Sequence, residues 1–163
     1  MIGRAFSVVS KRSMATFKNK PGRIPNATRH ISRVFIATKP DNPKPVIGCY
    51  TLSTLSIDLN QLPEKPARKL PKHPVFAALI GRLAAGKAAQ GQGVGKPLLA
   101  DAIKRTLAVS DQIAIYAMVV DAIDDNAREF CEQFGFGRLS DDSPRLFLPL
   151  KSINHIHPTG LIF

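Results

Sequence analysis

An almost continuous apolar run, Val75–Ala85 (VFAALIGRLAA), leads into a glycine-rich turn, Gln90–Gly95 (QGQGVG), and then into a helix-forming segment. This succession limits the fold more than any other feature of the chain. A run with no polar alternation reads as a central strand covered on both faces, which calls for helices packed against a sheet. Pro97 sits just inside the following helix, where its missing N–H costs nothing. Leu98, Leu99, Ala102, Ile103 and Leu107 recur there at helical spacing and predict one buried face.

The flanking segments extend the pattern. Arg33–Thr38 (RVFIAT) and Val46–Ile57 (VIGCYTLSTLSI) are strand-like runs separated by the turn-rich Asp41-Asn42-Pro43, and they predict a β-hairpin. A polar, proline-bearing connection runs from Asp58 to Pro74. Ile113–Val120 (IAIYAMVV) reads as another buried strand that ends in Asp121. Asp124 and Asp125 open a helix expected to bury Ala127, Phe130, Cys131 and Phe134 and to stop at Gly135. Arg145–Leu150 (RLFLPL) is the last strand. Strand, glycine turn, helix, strand, helix, strand is an α/β pattern, and 163 residues make one domain.

Charge narrows the partners. Net charge is +11, and residues 1–80 carry all of it, with 14 of the 23 Lys/Arg and 3 of the 12 Asp/Glu. Residues 81–163 hold nine of each sign and are neutral overall. Such an excess favours a polyanion, either nucleic acid or an acidic protein; a solvated basic surface without a partner is the plainer alternative. The two cysteines, Cys49 and Cys131, are far apart and form no CxxC pair, so reduced thiols are expected. No apolar run approaches the roughly 20 residues of a membrane span. These features predict a soluble, cytoplasmic protein without a membrane partner. Met1–Ser13 is basic and free of acids, like a short transit peptide, but Met14 as a second start behind poorly ordered residues is the simpler expectation.

The glycine turn carries the chemistry. Glycines at 91, 93 and 95 let the backbone approach a ligand, and free N–H groups at the helix start point at an anion. A Walker A loop is excluded, because Gly95-Lys96 is followed by Pro97 and position 90 is Gln. A dinucleotide fingerprint is excluded too, since the spacing is GxGxG rather than GxGxxG. On spacing alone the turn holds a phosphate or is merely structural.

Gln90-Gly91-Gln92-Gly93-Val94-Gly95 resembles the Q/R-x-x-G-x-G/A signature of GCN5-related N-acetyltransferases (GNAT). Gly81–Ala84, the segment Asp121-Ala122 with Ala127–Phe130 and Phe134–Phe136, Gly48–Ser53 and Ser143–Ser152 resemble further motifs of the family's toxin branch, found in type II toxin–antitoxin systems. The likeness spans roughly residues 25–152. It implies a mixed, V-split central sheet flanked by helices, with residues 1–24 a reduced N-terminal segment and 153–163 a tail. It implies acetyl-coenzyme A as co-substrate and no metal. Leu83 and Ala85 would bond the pantetheine arm, Gln90, Gly91, Gln92, Gly93, Val94, Gly95 and Lys96 would cradle the pyrophosphate, and Phe130 would line the cofactor. The acceptor implied is the amino group of an aminoacyl-tRNA, the partners a ribbon-helix-helix antitoxin and a second copy in a homodimer. The runner-up is a degenerate member that binds coenzyme A or an antitoxin with little catalysis; a small-molecule or protein N-acetyltransferase shares the fold.

Two departures bear on that reading. Only about thirty residues precede Arg33, none of them acidic, so part of the family's first strand and helix is missing or rewritten. Cys131 stands where the family has a tyrosine that returns a proton to the coenzyme A thiolate. A thiol titrates near 8.5 against roughly 10 for a phenol, which permits donation in principle, yet a small cysteine on an apolar helix face is usually packing. Tyr116 is the next candidate. Arg82 either contacts RNA or pairs with an acid. His155 and His157 lack a third metal ligand.

Overall fold

The computed structural model describes residues 7–10, 31–42 and 44–153. The chain divides into two compact units, Met1–Ser53 with Gly81–Ala102, and Thr54–Ile80 with Ile103–Phe163.

The first unit is an antiparallel meander. Strand β1 (Ser7–Ser10) pairs with β2 (Arg33–Thr38), and β2 pairs with β3 (Val46–Ile57) in the register Phe35↔Tyr50 and Ile36↔Cys49. The hairpin expected from the sequence is therefore present. Strand β1 lies inside the segment 1–24, and its ladder covers the edge of β2. The remainder of 1–24, Met14 included, falls outside the described residues, as do His155 and His157. Val34, Phe35, Ile36 and Ala37 are all buried, and Phe35 stacks on the fully buried Tyr50 at 4.9 Å between ring centroids.

The apolar run of 75–85 does not form one strand. Strand β4 (Val75–Ile80) ends at Ile80, residues 81–83 are irregular, and β5 (Ala84–Ala85) pairs with β3 instead. The break occurs because Gly81 N–H donates to Thr51 O at 2.9 Å and Arg82 N–H to Thr51 Oγ1 at 3.2 Å, drawing the chain onto β3. Composition hides this bend, since Leu83, Ala84 and Ala85 are as apolar as a strand interior. Helix α2 (Gly95–Ser110) follows, with Leu98, Leu99, Ala102 and Ile103 buried as its periodicity predicts, Leu107 half-buried, and Thr106 buried beside them.

In the second unit, with one-turn helix α1 (Glu64–Ala67) in the connection after β3, β4 runs parallel to β6 (Ala117–Asp121), from Ala77↔Ala117 to Ile80↔Val120. Strand β8 (Arg145–Pro149) is antiparallel to β6, and β7 (Gly137–Arg138) is antiparallel to β8. The sheet of this unit is thus mixed. Ile57, Leu62, Ala77, Ala117, Val119, Leu139 and Phe147 form its core cluster. Arg145 grips Asp121 with two hydrogen bonds, 2.7 and 3.0 Å, which fixes the last step of the β6–β8 register.

Three expectations need correction here. The strand expected over 113–120 starts only at Ala117: Ile113 is 53% exposed, and Tyr116 precedes the strand although its N–H donates to Phe76 O. Leu150 does not close the last strand but opens the short helix α4 (Leu150–Ile153), its N–H bonded to Tyr116 O. Helix α3 (Asp125–Glu132) buries only Cys131, while Ala127, Phe130 and Phe134 stay half-buried, the two rings packing on each other at 5.4 Å. The helix itself ends at Glu132, three residues before the expected stop, and a turn carries the chain on to Gly135 with φ +90°. Among the described residues no helix is long and apolar enough to cross a membrane.

Asp124 caps α3 by accepting from Ala127 N–H at 2.7 Å. Asp124→Ala should lower stability by about 0.5–2 kcal/mol in urea unfolding, whereas the neighbouring Ile123→Ala, at a side chain 92% exposed, should leave the midpoint unchanged.

Candidate cofactor site

The glycine turn folds into a cradle of backbone donors. Gly86 O receives the N–H groups of Ala89 (2.8 Å) and Gln90 (3.0 Å), and Ala89 O receives that of Gln92 (3.2 Å), which curls the chain before the helix. Gln92 Nε2 adds a bond to Ala88 O at 2.8 Å. Gly91 and Gly93 both take φ +74°, the left-handed region that L side chains rarely occupy, and no atom lies within 4 Å of where a Cβ would stand. Val94 is buried and anchors the loop from below. The N–H groups of Gly91, Gly93, Val94, Gly95 and Lys96 donate to no backbone carbonyl among the described residues. Two left-handed glycines one residue apart let successive N–H groups line a concave surface, and the start of α2 adds its own unpaired donors and positive dipole end. Such an arrangement can hold a phosphate or pyrophosphate.

Strand β3 fixes the cradle in place. Ala84 and Ala85 lie opposite Cys49 and Gly48. A Cβ at Gly48 would fall 2.7 Å from Leu98 Cδ1, 3.0 Å from Ala84 O and 3.1 Å from Val94 Cγ1, so only glycine lets strand, loop and helix meet here. Gly86 N–H donates to Ile47 O at 2.8 Å, which makes the adjacent Gly48–Ala85 pair the non-hydrogen-bonded kind. Ala85 therefore turns its own N–H and C=O away from β3, free to pair with an extended ligand. Leu83 sits in the irregular stretch before β5. One turn into α2, Asp101 accepts a hydrogen bond from the Tyr50 hydroxyl, tying the helix to β3. Gly48, Thr51, Gly81 and Asp101 all shape the site; the first three lie in the family-like segments Gly48–Ser53 and Gly81–Ala84 but were given no role from the sequence, and Asp101 was not singled out.

The acid–base candidates are less favourable. Cys131 is 3% exposed, and burial, helped by the negative charge of Glu132, pushes its thiol up to about 11. It is thus a protonated thiol and a weaker acid than an ordinary phenol. Burial also raises Tyr116, whose side chain packs against the core of its unit. Arg82 is exposed and has no ion pair among the described residues; its guanidinium opposes the upward push that burial gives Cys49. No group of three or more metal-ligating side chains occurs among the described residues.

The acetyltransferase (GNAT) family model matches residues 29–136, which contain this whole cradle. The chain belongs to the GNAT family. It is 35% identical over 120 residues to a Mycobacterium tuberculosis protein named tRNA-acetylating toxin, covering 74% of this chain and 70% of that one. A crystal structure of a tyrosine-to-phenylalanine mutant of KacT superposes with a TM-score of 0.78 at 25% identity, covering 92% of this chain and 98% of that one. AtaTR bound with acetyl-coenzyme A gives a TM-score of 0.67 at 29% identity, with 80% and 77% covered. The chain has the GNAT fold and is an N-acetyltransferase by family, as its motifs implied.

A raised thiol has a measurable consequence. Below the unfolded value of about 8.5 both states of Cys131 are protonated; between there and about 11 only the unfolded state loses its proton. Stability must then fall as pH rises through that window. The urea midpoint should drop more between pH 8 and pH 10.5 in the wild type than in Cys131→Ala.

Proposed function

We propose that this GNAT protein moves the acetyl group of acetyl-coenzyme A to the α-amino group of an aminoacyl-tRNA and so blocks translation as a toxin. The cradle formed by the amides of Gly91 and 93–96 carries the cofactor half of this reading, because it matches a pyrophosphate in charge and in the space around Gly91 and Gly93. The relative named tRNA-acetylating toxin supports the acceptor half, and the basic residues of 1–80 suit an RNA.

When bound, acetyl-coenzyme A supplies an activated thioester, open to direct attack by a neutral amine without an acyl-enzyme. Gln90 and the backbone of Gly91–Lys96 hold its phosphates, and Leu83 and Ala85 present main-chain groups to the pantetheine arm. Phe130, half-buried on α3, offers an apolar face to the ligand. A C–N bond forms as the C–S bond breaks, and the departing thiolate needs one proton. Tyr116 is the remaining side-chain donor to test, with solvent water beside it; burial keeps both the Tyr116 hydroxyl and the Cys131 thiol protonated. Arg82, exposed and without an ion pair, is available to RNA. A ribbon-helix-helix antitoxin, a homodimer and a cytoplasmic location complete the proposal.

A second reading, a binder with little catalysis, is favoured by Cys131 alone. Cys131→Tyr separates the two. A general acid typically adds about 10²–10⁴-fold, so a gain of that size would mark the natural protein as a weak enzyme. Overpacking of this buried site costs about 1–3 kcal/mol, so melting temperatures must accompany the rates.

Incubation of the protein with labelled acetyl-coenzyme A and bulk charged tRNA should transfer label to the RNA. Gly93→Glu sets a carboxylate in the cradle and should remove calorimetric binding of acetyl-coenzyme A at concentrations that saturate the wild type. Its melting transition should survive at a lower temperature, since a Cβ at 93 meets no atom within 4 Å but the left-handed φ of +74° strains any side chain there by about 1–3 kcal/mol. Unchanged affinity would remove residues 90–96 from the cofactor site.

A further inference from the structure

The connection between β3 and β4 was expected to be a plain polar link, yet it is a built ledge. Its backbone is bonded at nearly every step: Ala67 N–H to Pro63 O (3.1 Å), Arg68 to Glu64 O (3.1 Å), Lys69 to Pro66 O (3.2 Å) and Leu70 to Ala67 O (3.2 Å). Prolines at 63, 66, 71 and 74 fix φ along it. Leu62 is part of the core cluster, and Ala67 and Leu70 pack against that cluster. The residues between these anchors face solvent, and they include Lys65, Arg68, Lys69 and Lys72. Arg68 is paired with Glu64 at 2.6 Å, whereas Lys65, Lys69 and Lys72 have no ion pair among the described residues. Three ammonium groups thus stand on a stiff support with nothing in the described structure to offset them.

An aromatic ring adjoins the ledge. Phe76 is 60% exposed near the start of β4, while Ala77, Ala78 and Ile80 of the same strand are buried. Its carbonyl is held by Tyr116 N–H at 2.8 Å, so the ring projects from a fixed backbone. An exposed phenylalanine is costly in water, and a ring combined with lysines is the pairing by which proteins grip unpaired nucleotides: cations on phosphate, ring on base.

We propose that Lys65, Lys69, Lys72 and Phe76 form the docking surface for the RNA acceptor, the lysines on its sugar–phosphate backbone and the Phe76 ring stacked on an unpaired base. This rests on the tRNA reading given above and locates the contact. Lysine is depleted in protein–protein interfaces, and the ledge has no apolar centre of the kind such interfaces need, which favours RNA over an acidic protein.

Fluorescence anisotropy of bulk charged tRNA against a salt series tests it, with acetyl-coenzyme A calorimetry alongside. The triple variant Lys65→Gln, Lys69→Gln, Lys72→Gln should lose affinity and flatten the log K against log salt slope by about 2–3, since each phosphate contact adds about 0.7–0.9. The corresponding Lys→Arg triple variant should retain both. Phe76→Ala should weaken binding about fivefold or more with the slope unchanged, and Phe76→Trp should not. Acetyl-coenzyme A affinity should stay at the wild-type level throughout, which separates lost contact from lost fold. Wild-type binding with unaltered affinity and slope in the Gln and Ala variants would overturn the ledge while leaving the tRNA reading intact. A wild type that neither binds nor acetylates tRNA would defeat that reading and the ledge with it. With polyglutamate titrated in the same way, loss of its binding in the Gln triple variant with tRNA binding intact would overturn the proposal in favour of an acidic protein.

Discussion

The cofactor cradle depends on the close approach at Gly48. Three separate pieces of chain converge on that missing side chain: Ala84 of β5, Val94 of the glycine turn and Leu98 of α2. A methyl group there would overlap a backbone oxygen as well as two side chains in a site already packed to exclusion, and such overlap costs about 1–3 kcal/mol. Because the turn is held by this contact, its amides are oriented before any ligand arrives. Preorganised donors of this kind need no rearrangement when an anion enters.

A second set of constraints bends the chain toward that contact. Gly81 N–H and Arg82 N–H are both taken by Thr51, and a Cβ at Gly81 would stand only 2.1 Å from Thr51 Oγ1. The irregular stretch 81–83 is therefore the result of hydrogen bonding to β3 rather than a failure of strand propensity. It allows Ala85 to turn one main-chain edge outward, where an extended ligand can pair. The same element, β3, holds α2 through the Tyr50 hydroxyl and Asp101. One strand thus positions loop, helix and open edge together.

Proton delivery is a separate constraint from the cradle. The family's tyrosine position carries Cys131, a thiol buried deeply enough to remain protonated well above neutral pH. Its environment favours packing over proton delivery, and Tyr116 is raised by burial as well. The proton needed by the leaving thiolate is therefore the weakest link between this site and a fast transfer. By contrast, the solvent-facing lysines of the β3–β4 connection are positioned by the core beneath them, through Leu62, Ala67 and Leu70.

Much of the site was legible in the sequence because its chemistry is local. The glycine spacing of 91, 93 and 95, Pro97 and the apolar face of α2 lie within one continuous segment, and the phosphate-binding capacity follows from backbone geometry that those residues permit. The hairpin of β2 and β3 and the capping of α3 by Asp124 are local as well. What the sequence could not decide is where apolar residues stop being strand. Val75–Ala85 and Ile113–Val120 read as unbroken strands, but their ends are set by partners distant in the chain: Thr51 captures 81–82, and pairing with β4 and β8 begins only at Ala117. Tertiary contact also decided that Phe76 is exposed, although it is an apolar residue within a strand, and that Phe130 and Phe134 stay only half-buried. Periodicity reports which face a residue lies on; only the assembled layers determine what covers that face.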